Sequence, residues 1–398
     1  MFKNARLALL FASLFSVMIG FGMVVPLLPF VARELGGTSV DMGLLVSVWA
    51  MAQFLTAPRW GGFSDNYGRR PAIILGLVGF AAAFTMMGLA PSLWVLYLAR
   101  IAGGALSSSA LPSTQAYVAD ITTRSERGAA MGLMGAAFGL GFLLGPSIGG
   151  LLAFLGARVA FFVAGGMGLL TALLVYLFLP EPENRSLSTV PGLSVWQVGL
   201  QAMRKPYAIL FFMPLMITFA GSSMFSMMGF YLMDRLGAGQ QEVSLAFAVL
   251  GGTGVVTQGF IVRAALKRMT EVSILKIGFI LAFTGFILFT VAPGLVFILL
   301  CVVIIGAGQS LGRPMMSSLL SKATDMSQGV TMGLQASFDS LGRVAGPLWA
   351  GLSYSLVPEA PYFTSALVCL AAALLMKRVS TAVDLQEEHY AAQGHAGS

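Results

Sequence analysis

Residues 61–70 read GGFSDNYGRR: a carboxylate, two adjacent arginines and three glycines set between two long apolar runs. Only 10% of the 398 residues are charged and 57% are hydrophobic, so such a cluster belongs at a membrane surface, in the turn between two spans. Gly61, Gly62 and Gly68 allow close helix approach and a tight reversal. Asp65 and Arg69 stand four residues apart and can pair if the segment is helical. Two readings are open: a positive turn that only sets topology, or a latch that opens and closes in a cycle of conformations. A degraded echo of the spacing, Gly259, Arg263, Lys267 and Arg268, favours the latch.

Outward from this stretch, apolar runs of about 20 residues recur, the length that crosses a bilayer as a helix. They predict spans at 7–32, 43–63, 72–90, 93–120, 128–153 and 158–179, then at 207–233, 243–263, 272–291, 294–321, 328–356 and 360–376. The fold class is an all-α polytopic membrane protein with twelve transmembrane helices in two pseudo-symmetric six-helix bundles; a barrel would show shorter, alternating segments. The first run carries Pro26 and Pro29 without a clear cleavage site, so it reads as a span and not as a signal peptide. Residues 1–180 form the first bundle and 207–378 the second. Between them, 181–206 is a cytoplasmic linker in which Leu193, Trp196, Leu200 and Met203 predict a short interfacial helix. Residues 379–398 are expected to be a mobile cytoplasmic tail.

Of the 23 Lys and Arg, Arg33, Arg158 and Arg235 fall on the outer side of these spans and Arg100, Arg313 and Arg343 deep within them. The rest lie on the side of the N-terminus, which makes both termini cytoplasmic and the location a cell membrane, inner or plasma. Basic residues scattered over loops give no support to nucleic-acid binding. Cys301 and Cys369 lie far apart in apolar runs and read as buried free thiols, and both histidines, His389 and His395, are in the tail. No metal cluster, phosphate loop or nucleophile–base set is visible, so the chain is not read as an enzyme, and no cofactor is expected beyond protons as coupling ions.

The halves resemble each other. GAAMGLMGAAFGLGFLLGP at 128–146 aligns without a gap with GVTMGLQASFDSLGRVAGP at 329–347. Repeats on this scale mark transporters whose halves rock about a midplane site; chance similarity of glycine-rich helices is the plainer alternative.

At this point the chain resembles the major facilitator superfamily, and within it the twelve-span drug:proton antiporter branch. The loop Gly61–Arg70 is similar to the GxxxDxxGRR signature, with Asn66 departing from the usual basic residue. Leu96-x-x-x-Arg100 followed by Gly104 resembles the span-four arginine motif, and Gly141-x-x-x-Gly145-Pro146-x-x-Gly149-Gly150 matches the span-five antiporter motif. Gly20 with Pro26-x-x-Pro29, and Gly342-x-x-x-Gly346-Pro347-Leu348, resemble motifs of spans one and eleven. The first half is similar to tetracycline/proton antiporters.

The resemblance implies roles. Asp65, Arg69 and Asp120, supported by Gly61, Gly68 and Arg70, would form the cytoplasmic latch, with Asp65 capping span eleven in the outward-open state. Gly141, Gly145 and Gly149 give a smooth stripe for a neighbouring helix, and Pro146 a bend. With Gly150 and the repeat-related Gly342, Gly346 and Pro347, they are hinge candidates; ordinary glycine packing is the alternative. Arg100 either tunes a nearby carboxylate or bonds backbone carbonyls.

The carboxylate deep in a predicted span is Asp339, about 16 Å along its helix, with Arg343 one turn on and Arg313 at comparable depth in span ten. Burial favours the neutral acid and a neighbouring arginine the carboxylate, so Asp339 is a proton-coupling candidate; a permanent ion pair is equally compatible. Flexible and aromatic side chains suit varied apolar ligands, and Phe138, Phe142, Met224, Phe225, Met228, Tyr231 and Phe338, with the amides Gln53 and Gln309, are candidates for the substrate cavity. The expected function is proton-coupled export of small amphipathic compounds, multidrug or tetracycline-like, by a monomer in the lipid bilayer. The alternative is a dedicated carrier of an organic anion or zwitterionic metabolite.

Overall fold

A computed structural model describes residues 2–182, 205, 207–324, 326 and 328–395. The interfacial helix expected around 193–203 lies outside the described residues. What is described is helical: α1 (Phe2–Val24), α2 (Leu28–Glu34), α3 (Ser39–Tyr67), α4 (Arg69–Leu89), α5 (Leu93–Ser107), α6 (Ala110–Ile121), α7 (Arg124–Leu152) and α8 (Ala157–Phe178). There follow α9 (Ala208–Leu236), α10 (Gln240–Val256), a π turn at Thr257–Ile261 running into α11 (Val262–Leu266), α12 (Glu271–Thr290), α13 (Leu295–Ala323), α14 (Gln328–Leu356) and α15 (Ala360–His395).

Local chemistry explains where these helices start and stop. Thr38 and Asp41 form a reciprocal cap on α3, and Thr123 and Glu126 do the same for α7. The first expected span divides into α1 and α2 because Pro26 and Pro29 cannot donate backbone hydrogen bonds. Span four divides likewise. Pro112 leaves the Ser108 carbonyl without its helical donor, the Ser108 hydroxyl turns back onto the Ala105 carbonyl at 2.9 Å, and the Ser109 hydroxyl reaches across to the Ala72 carbonyl of α4 at 2.8 Å. α15 runs beyond its apolar stretch to His395, through the segment expected to be a tail. The sequence there contains no proline to stop it.

Among the described residues, ten helices are long and apolar enough to cross a membrane, and the chain is a multi-pass membrane protein. Two of the twelve expected spans fall short of that measure. One is the broken α5–α6 pair. The other is α14, which carries Gln335, Asp339, Ser340 and Arg343.

Packing divides the chain into two compact units. The first holds the helices through α8 together with Met228–Val255; the second holds α9 up to Met227 and the described helices from Val256 onward. In the first unit α1 packs on α7 and α8, and α4 on α5 and α8. Leu10, Leu14, Ile73, Leu77, Tyr117, Met134 and Val175 make its buried core. In the second, α12 packs on α13 and α15.

Candidate functional site

The stretch 61–70 is not the open turn its glycines predict. α3 continues through Gly61 and Gly62 to Tyr67, and the reversal is compressed into one residue, Gly68, at φ +122°. Only glycine adopts that backbone readily. Gly61 and Gly62 have open space on their Cα atoms, so they make no close helix contact in this conformer.

Arg69 is the first residue of α4, and its position there assembles the charged cluster. Its guanidinium donates to Asp65, to Asp120 at 3.0 Å and to the Ser64 hydroxyl at 3.2 Å. The Arg69 side chain is 6% exposed and that of Asp120 only 2%, whereas Asp65 retains 25%. A dry Arg–Asp pair thus ties the start of α4 to the end of α6, with Asp65 as the wetter third member. Arg70 turns the other way, over the Tyr176 ring at 5.2 Å and onto the Tyr176 carbonyl.

Sequence reasoning missed the residue that closes this cluster. Glu181 accepts from the backbone N–H groups of Arg69 at 2.6 Å and Arg70 at 3.0 Å, capping a helix that has no side-chain cap of its own. Its carboxylate lies where a Cβ on Gly68 would stand, 2.9 Å away. The available signal was a single acid directly after Pro180, at the end of a span and on the same side as a double arginine.

Arg100 is 3% exposed. Its Nε donates to the Leu45 carbonyl at 2.9 Å and its guanidinium lies 4.7 Å from the Trp49 ring centre. In this conformer it takes the backbone-bonding arrangement of the two left open by its sequence.

The glycine stripe of α7 runs along α1. A Cβ on Gly141 would meet the Phe15 carbonyl at 2.9 Å, one on Gly145 would stand 2.7 Å from Gly22 Cα, and one on Gly149 would strike Met23. Gly150 faces the Ser244 side chain, and Pro146 lies inside the helix. In the second unit α14 lies on α9 in the same way. Gly342 stands against the Leu215 carbonyl and Gly346 against that of Phe219, with Pro347 just beyond. The Ser222 and Ser223 hydroxyls donate to the carbonyls of Gly342 and Gly346, each at 3.0 Å.

One turn from Gly342 on that seam, Asp339 has both oxygens engaged. Arg343 donates to Oδ2 at 3.0 Å, and the Thr218 hydroxyl of α9 donates to Oδ1. Of the two arginines named from the sequence, Arg343 is the one bonded to Asp339. Arg313 is exposed on α13, near enough for its charge to act on Arg343, while the second partner of the carboxylate is the hydroxyl. Thr218 has no sequence signal, being one threonine in an apolar run.

The cavity candidates are dispersed by burial. Met224, Met228 and Tyr231 are buried in packing, Phe138 is exposed, and Gln53, Phe142, Phe225, Gln309 and Phe338 are half-buried. The Phe338 ring lies tilted against Phe211 and edge-on to Phe212, with centroids 6.1 and 5.3 Å apart. Gln309 lies against Gly221 and lines a cavity of about 10 Å³ with Ile217, Phe279 and Cys369.

The family model for the Major Facilitator Superfamily matches residues 10–347. The chain belongs to the major facilitator superfamily. It is 31% identical to Multidrug resistance protein 1 of Bacillus subtilis over 365 residues, which cover 91% of this chain and 92% of that protein. It is 27% identical to Quinolone resistance protein NorA of Staphylococcus aureus over 373 residues, 94% of this chain and 96% of that one. In fold it is similar to a bacterial homologue of the human lysosomal transporter Spinster, solved inward-facing and occupied. There the TM-score is 0.73 with 16% identity over 97% of each chain. Membership makes the chain a transporter and not an enzyme, in the superfamily whose drug:proton antiporter motifs its sequence resembles.

Proposed function

We propose that this chain exports small amphipathic compounds, several unrelated ones, across the cell membrane in exchange for protons. The relatives that match it over nine-tenths of its length carry multidrug and quinolone resistance in their names, which favours this reading over a dedicated anion carrier. The observation that carries the coupling is Asp339, half-way along a long helix, held by Arg343 and Thr218. A carboxylate is affordable at that depth only with such partners, and a state that releases one of them favours taking up a proton.

The remaining parts follow from the same reading. Twelve crossings and both termini in the cytoplasm are supported by the span pattern and the placement of the basic residues, whose scatter over loops speaks against nucleic acid; action as a monomer with protons as the coupling ion belongs to the same reading. The Asp65–Arg69–Asp120 cluster serves as the latch, and the stripes at Gly141–Gly149 and Gly342–Gly346 as sliding hinges.

The test is accumulation of ethidium and norfloxacin in cells expressing the protein, with and without a protonophore, repeated in proteoliposomes with an imposed pH gradient. Lower accumulation of both that vanishes with the gradient is the expected result. Transport indifferent to the gradient, or of neither compound, overturns the proposal.

A further inference from the structure

We propose that Thr218 is a positioning residue for the coupling carboxylate: its hydroxyl stays bonded to Asp339 in both protonation states by reversing its role from donor to acceptor. The inference rests on Asp339 being the coupling group and adds the partner that lets it change charge while α9 and α14 remain joined.

The argument begins with donor inventory. Arg343 can only donate, so it serves the carboxylate and has nothing to offer the O–H of the neutral acid. A hydroxyl both donates and accepts. In the structure Thr218 donates to Oδ1, which leaves Oδ2 to Arg343. When a hydrated proton delivers its proton to Oδ1, an O–H bond forms there and water is released. The Thr218 oxygen then accepts from that new O–H, and its own hydrogen needs another acceptor.

That acceptor is one turn back. In this protein Thr56, Thr114, Thr171 and Thr253 each donate to the carbonyl four residues earlier, at 2.7–2.8 Å. The equivalent carbonyl for Thr218 is that of Pro214, inside the same helix. In this structure the Thr218 hydroxyl is bonded to Asp339 and not to that carbonyl; turning its hydrogen toward Pro214 frees the oxygen to accept the acid's O–H, which matters because an unpaired polar group at this depth is costly.

Among the described residues of this unit, the charged groups around this site are Arg343, bonded to the carboxylate from its own helix, and Arg313 of α13, whose charge acts on Arg343. The facing part of α9 contributes hydroxyls, Thr218 and Ser222, and no charge. The seam itself is held elsewhere by Ser222 and Ser223 and by the close approach at Gly342 and Gly346. Loss of the Thr218 hydroxyl alone leaves those contacts in place.

The experiment follows the carboxyl C=O band by infrared titration of the protein in proteoliposomes, beside ethidium export driven by a pH gradient. The variants are Thr218→Val, Thr218→Ser, Thr218→Ala and Asp339→Asn. The band lost in Asp339→Asn identifies the group. A hydrogen bond to a charged carboxylate is stronger than one to the neutral acid. Thr218→Val should therefore displace both the band's titration midpoint and the pH profile of export from those of wild type. The band frequency should also change. Thr218→Ser should restore the wild-type midpoint, and Thr218→Ala serves if the valine variant does not insert.

A wild-type midpoint and frequency in Thr218→Val or Thr218→Ala overturn the role of Thr218 and leave coupling by Asp339 standing. No band lost in Asp339→Asn, with gradient-driven export intact, overturns the coupling reading and this inference with it.

Discussion

The Glu181 carboxylate accepts the backbone N–H of Arg69 at 2.6 Å, so the segment just after α8 caps the start of α4 across the charged junction. A carboxylate at a helix N-terminus is favoured by the helix dipole and by the orphan donors there. Replacement of Glu181 by Ala removes the cap and should lower stability by about 1–2 kcal/mol, read as a drop in melting temperature of the detergent-purified protein. Gly68→Ala should cost at least as much, because it strains a left-handed backbone and drives a methyl into the same carboxylate. A melting temperature unchanged in both variants would remove Glu181 from the junction.

Asp65 and Asp120 bind one guanidinium but should fail differently. Asp120 is 2% exposed, and losing it strips a buried arginine of its driest partner, at about 3–5 kcal/mol. Asp120→Ala should therefore reduce the amount of inserted protein. Asp65 is wetter, at 25% exposed. Asp65→Ala should insert normally and lose transport. Membrane immunoblots beside dye accumulation separate the two outcomes, and near-normal transport by Asp65→Ala would refute the latch.

Gly145 and Gly22 place α7 and α1 in backbone contact, with 2.7 Å left for a Cβ. Gly145→Leu must separate the helices, at about 1–3 kcal/mol from overpacking, and should abolish transport in inserted protein. Gly61→Ala, with open space around it, should be nearly silent in this conformer's stability. Thermal melts and efflux assays on the pair check both statements.

Arg100 presents a planar cation to the Trp49 ring and to the Leu45 carbonyl. Lysine carries the charge without the fork or the stack. Arg100→Lys should lose most of the transport rate, and Trp49→Leu should weaken it in the same direction. Equal efflux by Arg100→Lys and wild type would mean that charge alone suffices.

Asp339→Asn preserves shape and a hydrogen-bonding partner for Thr218 while removing the titrating group. It should uncouple ethidium movement from an imposed pH gradient and leave ethidium binding, measured by fluorescence quenching on the purified protein, within about two-fold, because the uniform binding contacts are unchanged. Gradient-driven transport at the wild-type rate would exclude Asp339 from coupling.

The sequence by itself determined the class of molecule. Apolar runs of bilayer length leave a backbone no option but helix, because hydrocarbon offers no hydrogen bonds. The motifs at 61–70, 141–150 and 342–348 announced the family before any coordinate. Tertiary structure decided the partners. Which group reaches Asp339 depends on the register between α9 and α14, set by the close approach at Gly342 and Gly346, and a lone Thr218 in an apolar run carries no periodic mark of it. Glu181 stands more than a hundred residues from the backbone it caps, and at the break between α5 and α6 the Ser109 hydroxyl bonds the Ala72 carbonyl of α4. Local composition fixes what a segment is in a membrane; which side chain meets which is set by packing between segments distant in the chain.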